Sequence, residues 1–394
     1  MKQHPEKETQ LTGELLLLLA GLAALGALAT NIILPAFPDM ARELGTSVKD
    51  LSATLGTFFV AFAIGQLFVG PLSDRFGRQW LVLSGLIVFV IGSAICILAA
   101  NLPQLVIGRI VQALGVCATS VLSRAIARDL FEGDALARTL SLIMVAMAAA
   151  PGFSPLLGGV LNNLLGWRAT FGVVAGLALL LGIHYLMRLG ETHQMERRMN
   201  LSVSGIAGSY GQLLRDRKFI APALSVSLVI GSLYMFFAMA PALLMEGFGF
   251  SPFGLALFFA STVFVVFGAG FMAPRVARRW GTVVAARSGI GIAWAGSIAL
   301  LLGQQDATYF SVALTIYLLG MGMINPLGTA IALQPFGAKA GAASALLGFL
   351  QMGCAALAIG IASVLPVSTY MGFCIVLTSC QAVALVVFMR GVRP

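Results

Sequence analysis

The sequence predicts an all-α polytopic membrane protein, with twelve transmembrane helices in two six-helix bundles and both termini cytoplasmic. Three observations predict it: twelve long apolar runs, a one-sided distribution of Lys and Arg, and a repeat between the two halves of the chain. Only 10% of the 394 residues are charged and 45 are glycine, whereas soluble domains carry about 25% charged residues. Fifteen acids, three His (His4, His184, His193) and five scattered Cys leave no zinc site and little material for carboxylate chemistry. No metal and no cofactor are therefore expected. The net charge of +9 speaks of membrane orientation rather than nucleic acid in a chain this apolar.

A bilayer core about 30 Å thick needs about 20 mostly apolar residues per helix. Such runs occupy residues 15–37, 51–71, 79–100, 104–127, 138–161, 167–189, 219–245, 252–274, 282–302, 307–331, 340–365 and 370–389. They are continuous in Leu, Ala, Val, Ile, Phe and Gly, without the alternation of a membrane barrel. Ala27-Leu28-Ala29 has the form of a signal-peptide cleavage site, but the run continues to Phe37 and eleven spans follow, so it is read as part of span 1. All five Cys fall inside spans, which implies no disulfide framework.

Orientation follows from the 24 basic residues. With the N-terminus inside, twenty lie in or beside cytoplasmic loops, from Lys2 and Lys7 through Arg124, Arg128, Arg197 and Arg198 to Arg393, against Arg42, Lys49 and Arg168 outside. Arg109 alone is left within a span. The longest polar stretch, 190–218, separates an N-terminal bundle (1–189) from a C-terminal one (219–394). Within it, 201–214 is weakly amphipathic (Leu201, Val203, Ile206, Leu213, Leu214), the pattern of an interfacial helix.

The halves repeat. Leu72-Ser73-Asp74-Arg75-Phe76-Gly77 after span 2 matches Val276-Ala277-Arg278-Arg279-Trp280-Gly281 after span 8, offset by 204, and Ile33-Leu34-Pro35-Ala36 matches Met239-Ala240-Pro241-Ala242, offset by 206. Each match joins spans of equal orientation, so the repeat is parallel, about an axis normal to the membrane. That favours a transporter over a membrane enzyme, as does the longest loop of 29 residues (190–218), too short for a catalytic domain.

Three motifs carry a family resemblance. Gly70-Pro71-Leu72-Ser73-Asp74-Arg75-Phe76-Gly77-Arg78 resembles the signature loop of the major facilitator superfamily. It needs a tight turn at Gly77, cations facing lipid phosphates, and an acid able to meet a helix N-terminus. The resemblance implies that Asp74 faces the start of span 11 near Gly341–Ser344, and that Arg78 pairs with Asp129, a latch for the outward-open state. Arg109-Ile110-Val111-Gln112-Ala113-Leu114-Gly115 is similar to the arginine motif of the drug:proton antiporters, with Ala113 where Gly is common. Ala150-Pro151-Gly152-Phe153-Ser154-Pro155-Leu156-Leu157-Gly158-Gly159 is similar to their antiporter motif, in which small residues bring helices close and prolines bend them, with Ser154 where the family keeps Gly. Together with Thr30–Pro38, Gly65-Gln66 and Trp167-Arg168, the chain resembles the bicyclomycin and chloramphenicol exporter (Bcr/CflA) group over nearly its whole length.

The resemblance implies a secondary multidrug exporter of the inner membrane, working as a monomer on amphipathic drugs with protons as the coupling ion and rocking its halves about a midplane cavity. An exporter of a nucleoside, sugar or amino-acid derivative is the alternative on the same fold. No Walker sequence provides for ATP.

One departure bears on mechanism. Asn31 stands where the group usually keeps a coupling Asp, and an amide cannot titrate. Asn31 and Arg109 lie at similar depths, about 10 and 9 Å from the outer ends of their spans, yet all fifteen acids fall outside the spans, the nearest being Glu14, Asp39, Asp129 and Glu246. A cation at that depth marks function unless it snorkels to the outer surface. Three readings stay open: Asn31 mimics a protonated acid; coupling uses Asp39 or Glu246; or Arg109 receives an anionic or dipolar substrate. The expected substrate and proton pathway comprises Asn31, Arg109, Gln112, Gln66, Phe59, Tyr234, Phe237 and Asn325. Phe58, Phe62, Met235, Phe236, Phe258, Phe259, Tyr317, Gln334 and Gln351 are further candidates for the lining.

Overall fold

The computed structural model describes residues 12–192 and 203–392. The expectations for Lys2, Lys7, His4, His193, Arg197, Arg198, Leu201 and Arg393 lie outside the described residues. The described residues form fourteen α-helices: α1 (Gly13–Asn31), α2 (Phe37–Leu44), α3 (Val48–Phe76), α4 (Arg78–Ile97), α5 (Leu102–Leu130), α6 (Gly133–Leu165), α7 (Arg168–Arg188), α8 (Val203–Arg215), α9 (Arg217–Ala240), α10 (Pro252–Trp280), α11 (Thr282–Leu302), α12 (Ala307–Leu333), α13 (Ala340–Val364) and α14 (Thr369–Gly391). Among them, twelve helical runs are long and apolar enough to span a membrane: all except α8, with α1 and α2 counted as one and α9 extended to Gly247.

The spans run longer than the apolar runs suggest. A 29-residue helix such as α3, α5 or α10 extends about 43 Å at 1.5 Å per residue, well beyond the hydrocarbon core. Its polar ends carry the helix on, because they hold good caps. Ser47 and Asp50 form a capping box at the start of α3, while Asn101 and Asp306 cap α5 and α12. Span 1 does not stop at Phe37. Pro35 and Pro38 interrupt it with a 3-10 turn at Leu34–Ala36, and α2 continues to a left-handed stop at Gly45 (φ 62°). Span 7 ends in a π-helical turn, Pro241–Gly247.

The repeat is visible in geometry. Gly77 joins α3 to α4 at φ 94°, ψ 162°, and Gly281 joins α10 to α11 at φ 85°, ψ 150°, a conformation costly for any side chain. The close packing repeats too. A Cβ on Gly85 of α4 would lie 2.7 Å from the Gly115 carbonyl of α5, and one on Gly289 of α11 would lie 3.0 Å from the Gly320 carbonyl of α12. Offsets of 204 and 205 make α4–α5 and α11–α12 equivalent pairs, and make Tyr317 the counterpart of Gln112 in the other bundle.

The two bundles meet along a seam where α3 packs on α13 and α6 on α10. Large apolar side chains away from the seam, such as Leu180, Phe264, Phe271 and Leu357, stay exposed, the surface expected to face lipid tails. Helix α8 lies between the bundles in sequence and touches α9 and α13.

Candidate functional site

Arg109 is fully buried, which settles its position: it does not snorkel to the surface. The small side of α5 brings its guanidinium against three neighbours. Its Nη1 donates to the Ala29 carbonyl of α1 (3.1 Å) and to Gln112 Oε1 one turn along (2.9 Å). Gln112 Nε2 donates to Ser93 Oγ of α4 at 2.7 Å, and the guanidinium lies over the Phe58 ring of α3, 4.4 Å from its centroid. Nε and Nη2 have no partner among the described residues. No carboxylate of those residues pairs with Arg109, so a full positive charge is held by one carbonyl, one amide and one ring face.

Asn31 is buried at the end of α1, two residues beyond the carbonyl that Arg109 uses. It lies at a depth similar to that of Arg109, yet no hydrogen bond joins the two among the described residues. Asn31 Nδ2 turns back to the Ala27 carbonyl (2.8 Å) and Thr30 Oγ1 (3.0 Å). The reason is local: near the end of the helix an amide reaches its own preceding carbonyls more easily than a group on another helix.

From Arg109 an aromatic path crosses the seam. Phe58 meets Phe59 edge to face (5.9 Å), and Phe59 meets Tyr234 of α9 at 5.1 Å. Tyr234 then meets Phe237 (6.1 Å), which packs on Phe259 of α10 at 5.2 Å. Phe58, Phe59, Phe237 and Phe259 are buried, while Tyr234 is only half-buried. Gln66, also buried, presses its amide against Gly348 of α13, where any Cβ would collide with it, and its Oε1 is unpartnered among the described residues. Asn325 is half-buried on α12. Tyr317 is not available as lining: it is fully buried and its hydroxyl donates to the Val229 carbonyl at 2.8 Å. Gln334 is exposed beyond the end of α12, Gln351 is half-buried on α13, and Glu246 is exposed. Asp39 accepts from Asn162 (2.5 Å) and pairs with Arg42.

The antiporter motif lies inside α6, with Pro151 and Pro155 in mid-helix. Its glycines face two helices. A Cβ on Gly158 would strike the Ile32 carbonyl next to Asn31, and one on Gly152 would strike Val263 of α10 across the seam. Gly159 faces more space, with Pro35 at 3.9 Å. Ser154 is buried, and its hydroxyl has no partner among the described residues.

Between α3 and α4, Arg78 draws the signature loop together. Its Nε donates to Asp129 (3.0 Å), and its Nη1 to Asp74 (2.6 Å) and to Ser73. The expected Arg78–Asp129 pair is present. The expected meeting of Asp74 with span 11 is not among the described contacts: Asp74 bonds Arg78, and the place a Cβ would take on Gly341 is open. A proximal cation outcompetes a helix end, whose partial charge falls off within a turn. Arg75 lies over the Phe76 ring, 5.0 Å from its centroid. Sequence reasoning missed Glu191, which accepts from the Arg78 backbone N–H at 2.9 Å and so caps α4. The signal was an acid placed directly after span 6, with Thr192 beside it bonding Asp129 (3.4 Å).

Twelve spans in two pseudo-repeated bundles, with an ion-paired arginine cluster at one end and a buried cation within the N-terminal bundle, have the build of a polytopic transporter. The chain belongs to the Major Facilitator Superfamily, whose sequence model matches residues 19–386, and within it to the Bcr/CflA drug:proton antiporter group. It is 33% identical to a chloramphenicol resistance protein of Pseudomonas aeruginosa, over 82% of this chain and 76% of that one. It is 28% identical to multidrug resistance protein D of Escherichia coli, over 86% and 85%. A crystal structure of the nucleoside transporter NupG superposes with a TM-score of 0.73 at 14% identity, over 96% of this chain and 99% of that one, and shows the shared fold alone.

Proposed function

We propose that the chain exports amphipathic small molecules, phenicol-type drugs among them, from the cytoplasm across the inner membrane by rocking residues 1–189 against 219–394 as a monomer, with no enzymatic step. The observation that carries this reading is the path from Arg109 through Phe58, Phe59 and Tyr234 across the seam. Rings on both bundles give a varied apolar ligand contact area, and a buried guanidinium with two unused nitrogens gives one strong polar anchor. Both termini are cytoplasmic in this reading, and the Arg78 cluster is the inner latch. Its three anionic or polar partners all belong to the N-terminal bundle, so it stiffens that bundle's cytoplasmic edge as the halves rock.

The proton is the coupling ion, and Asn31 weakens the coupling. An amide has the shape and hydrogen-bonding capacity of a protonated acid and never releases a proton, so the site is held in the state that a protonated Asp would give. Drug susceptibility of a pump-deficient bacterial host expressing the chain tests the function. Protection against phenicols or other amphipathic drugs supports export, and uniform lack of protection removes it.

A further inference from the structure

We propose that the Cys96 thiol carries the coupling proton; the inference rests on the export reading above. Cys96 lies in the last turn of α4 and is fully buried. A missing side chain on the neighbouring helix puts it there. Gly108 of α5 precedes Arg109, and a Cβ on it would lie 2.6 Å from Cys96 Sγ, so the small residue lets the thiol rest against α5 beside the guanidinium. Its Sγ lies 3.8 Å from Gln112 Oε1, the atom that also accepts from Arg109 Nη1 at 2.9 Å, and 3.9 Å from the Leu105 carbonyl oxygen. One amide oxygen is thus shared by a thiol and a cation. Cys117 and Cys374 differ: they meet the Leu114 and Leu300 carbonyls, at 3.0 and 3.5 Å, with no cation on the same acceptor.

Among Arg109, Gln112, Ser93 and Cys96, only the thiol exchanges a proton in the working range, since arginine stays charged and amide and hydroxyl do not ionise. No carboxylate of the described residues pairs with Arg109, and Asn31 cannot titrate. In the proposed step the S–H bond breaks, the proton passes to water on the cytoplasmic side, and the electron pair stays on sulfur. Thiolate and guanidinium then neutralise each other, and the aromatic path beside them carries no net charge. A proton from water on the outer side re-forms the S–H bond and leaves the charge of Arg109 uncompensated, which disfavours an apolar ligand. Drug and proton therefore exclude one another, the condition for exchanging one against the other.

The other charged groups around Cys96 are engaged or remote. Helix α7 packs on α4 and brings Arg168, whose Nε donates to the Ile97 carbonyl next to Cys96 (2.8 Å) and whose charge is taken up by Glu43 of α2. His184, Tyr185 and Arg188 lie at the far end of α7. Helix α3 supplies the Phe58 ring to the guanidinium, while its Asp50 accepts from Ser47 and Thr46 in the first turn. A thiol is a weaker acid than a carboxylate, with an ordinary value of about 8.5 against about 3.9 for Asp, so only a few per cent ionises at about pH 7. Coupling through it is weak at neutral pH and grows as pH rises.

The test uses the full-length protein in proteoliposomes with labelled chloramphenicol. Counterflow without a gradient is compared with transport under a gradient of about one pH unit, centred at about pH 7 and then at about pH 9. Native transport is expected to respond little at the lower pH and to rise severalfold at the higher, up to about tenfold, the ratio of proton activities. Cys96→Ser keeps a donor for Gln112 but has no proton to release, and is expected to hold gradient-free counterflow within about twofold while losing the stimulation. Cys96→Ala is expected to lose it as well, and replaces the serine variant if that one departs from the native size-exclusion profile. Stimulation that survives in these variants, or native stimulation that is equal at the two pH values or absent at both, overturns the inference while leaving export intact. Loss of gradient-free counterflow in the folded variants overturns it too, by making Cys96 a packing residue. If the native chain shows no counterflow, the export reading itself falls.

Discussion

The hydroxyl of Tyr210 donates to the main-chain carbonyl of Leu67 at 2.9 Å, and Leu67 lies four residues before Pro71. Pro71 has no N–H, so the Leu67 carbonyl lacks its helical partner. The linker helix α8 fills that vacancy from outside. At its other side Gln212 accepts from Lys339, just before α13, so α8 ties the inner end of α3 to the start of α13, one bundle to the other. Tyr210→Phe is expected to cost about 1 kcal/mol, the scale of one partly buried hydrogen bond, and to raise amide exchange over 203–215 without altering the spans. Unchanged exchange there would mean that the bond contributes nothing to docking.

The same bond has a pH dependence of defined sign. Burial pushes the Tyr210 phenol above its ordinary value, so the folded state favours the protonated, donating form. The stabilisation is complete below the ordinary tyrosine range near pH 10 and is lost as pH rises through the higher folded value. Linker protection, corrected for the intrinsic base-catalysed exchange rate, should therefore fall above about pH 10 in the native chain and stay level in Tyr210→Phe. Parallel curves for the two proteins would count against it.

Gly158 and Gly159 are adjacent yet face different neighbours. Gly158→Ala places a methyl on the Ile32 carbonyl beside Asn31, whereas Gly159→Ala meets only Pro35 at 3.9 Å. The first is expected to destabilise by about 1–3 kcal/mol through overpacking, and the second by less than about 0.5 kcal/mol. Thermal unfolding followed by fluorescence-detected size exclusion separates them. Equal midpoints would show that α1 and α6 do not pack as closely as described.

Glu191 and Asp129 act on Arg78 from different sides. Glu191→Gln keeps an acceptor at the α4 N-terminus and should lose only the charge contribution, about 0.3–1 kcal/mol. Asp129→Asn removes the charge from a half-buried ion pair with Arg78 and should reduce drug protection more strongly. Dose-response curves in a pump-deficient host at matched expression check the order, and a reversed order would remove Asp129 from the latch.

Much of this was legible in the chain. Twelve apolar runs and the Gly77 and Gly281 turns carried the bundle architecture, because span length and left-handed turns are local properties. Arg109 stood out as the basic residue left within a span. The legible part ended where neighbours decide. Span 1 runs on past Phe37 because Gly45, not apolarity, ends α2. Asn31 and Arg109 lie at similar depths, but Arg109 bonds the Ala29 carbonyl, since backbone acceptors carry no sequence signature. Glu191 looked like linker charge until α7 brought it to α4, and Tyr317 looked like cavity lining until its hydroxyl met Val229.

In this mechanism drug moves through a site built on an unpaired Arg109 with a non-titrating residue at position 31. Counterflow of labelled chloramphenicol in proteoliposomes, with and without an imposed pH gradient, is the deciding measurement. Exchange by the native chain is expected to respond little to the gradient, Asn31→Asp to become strongly gradient-driven, and Arg109→Ala to abolish transport in both backgrounds. Strong gradient dependence in the native chain with no change in Asn31→Asp would contradict it.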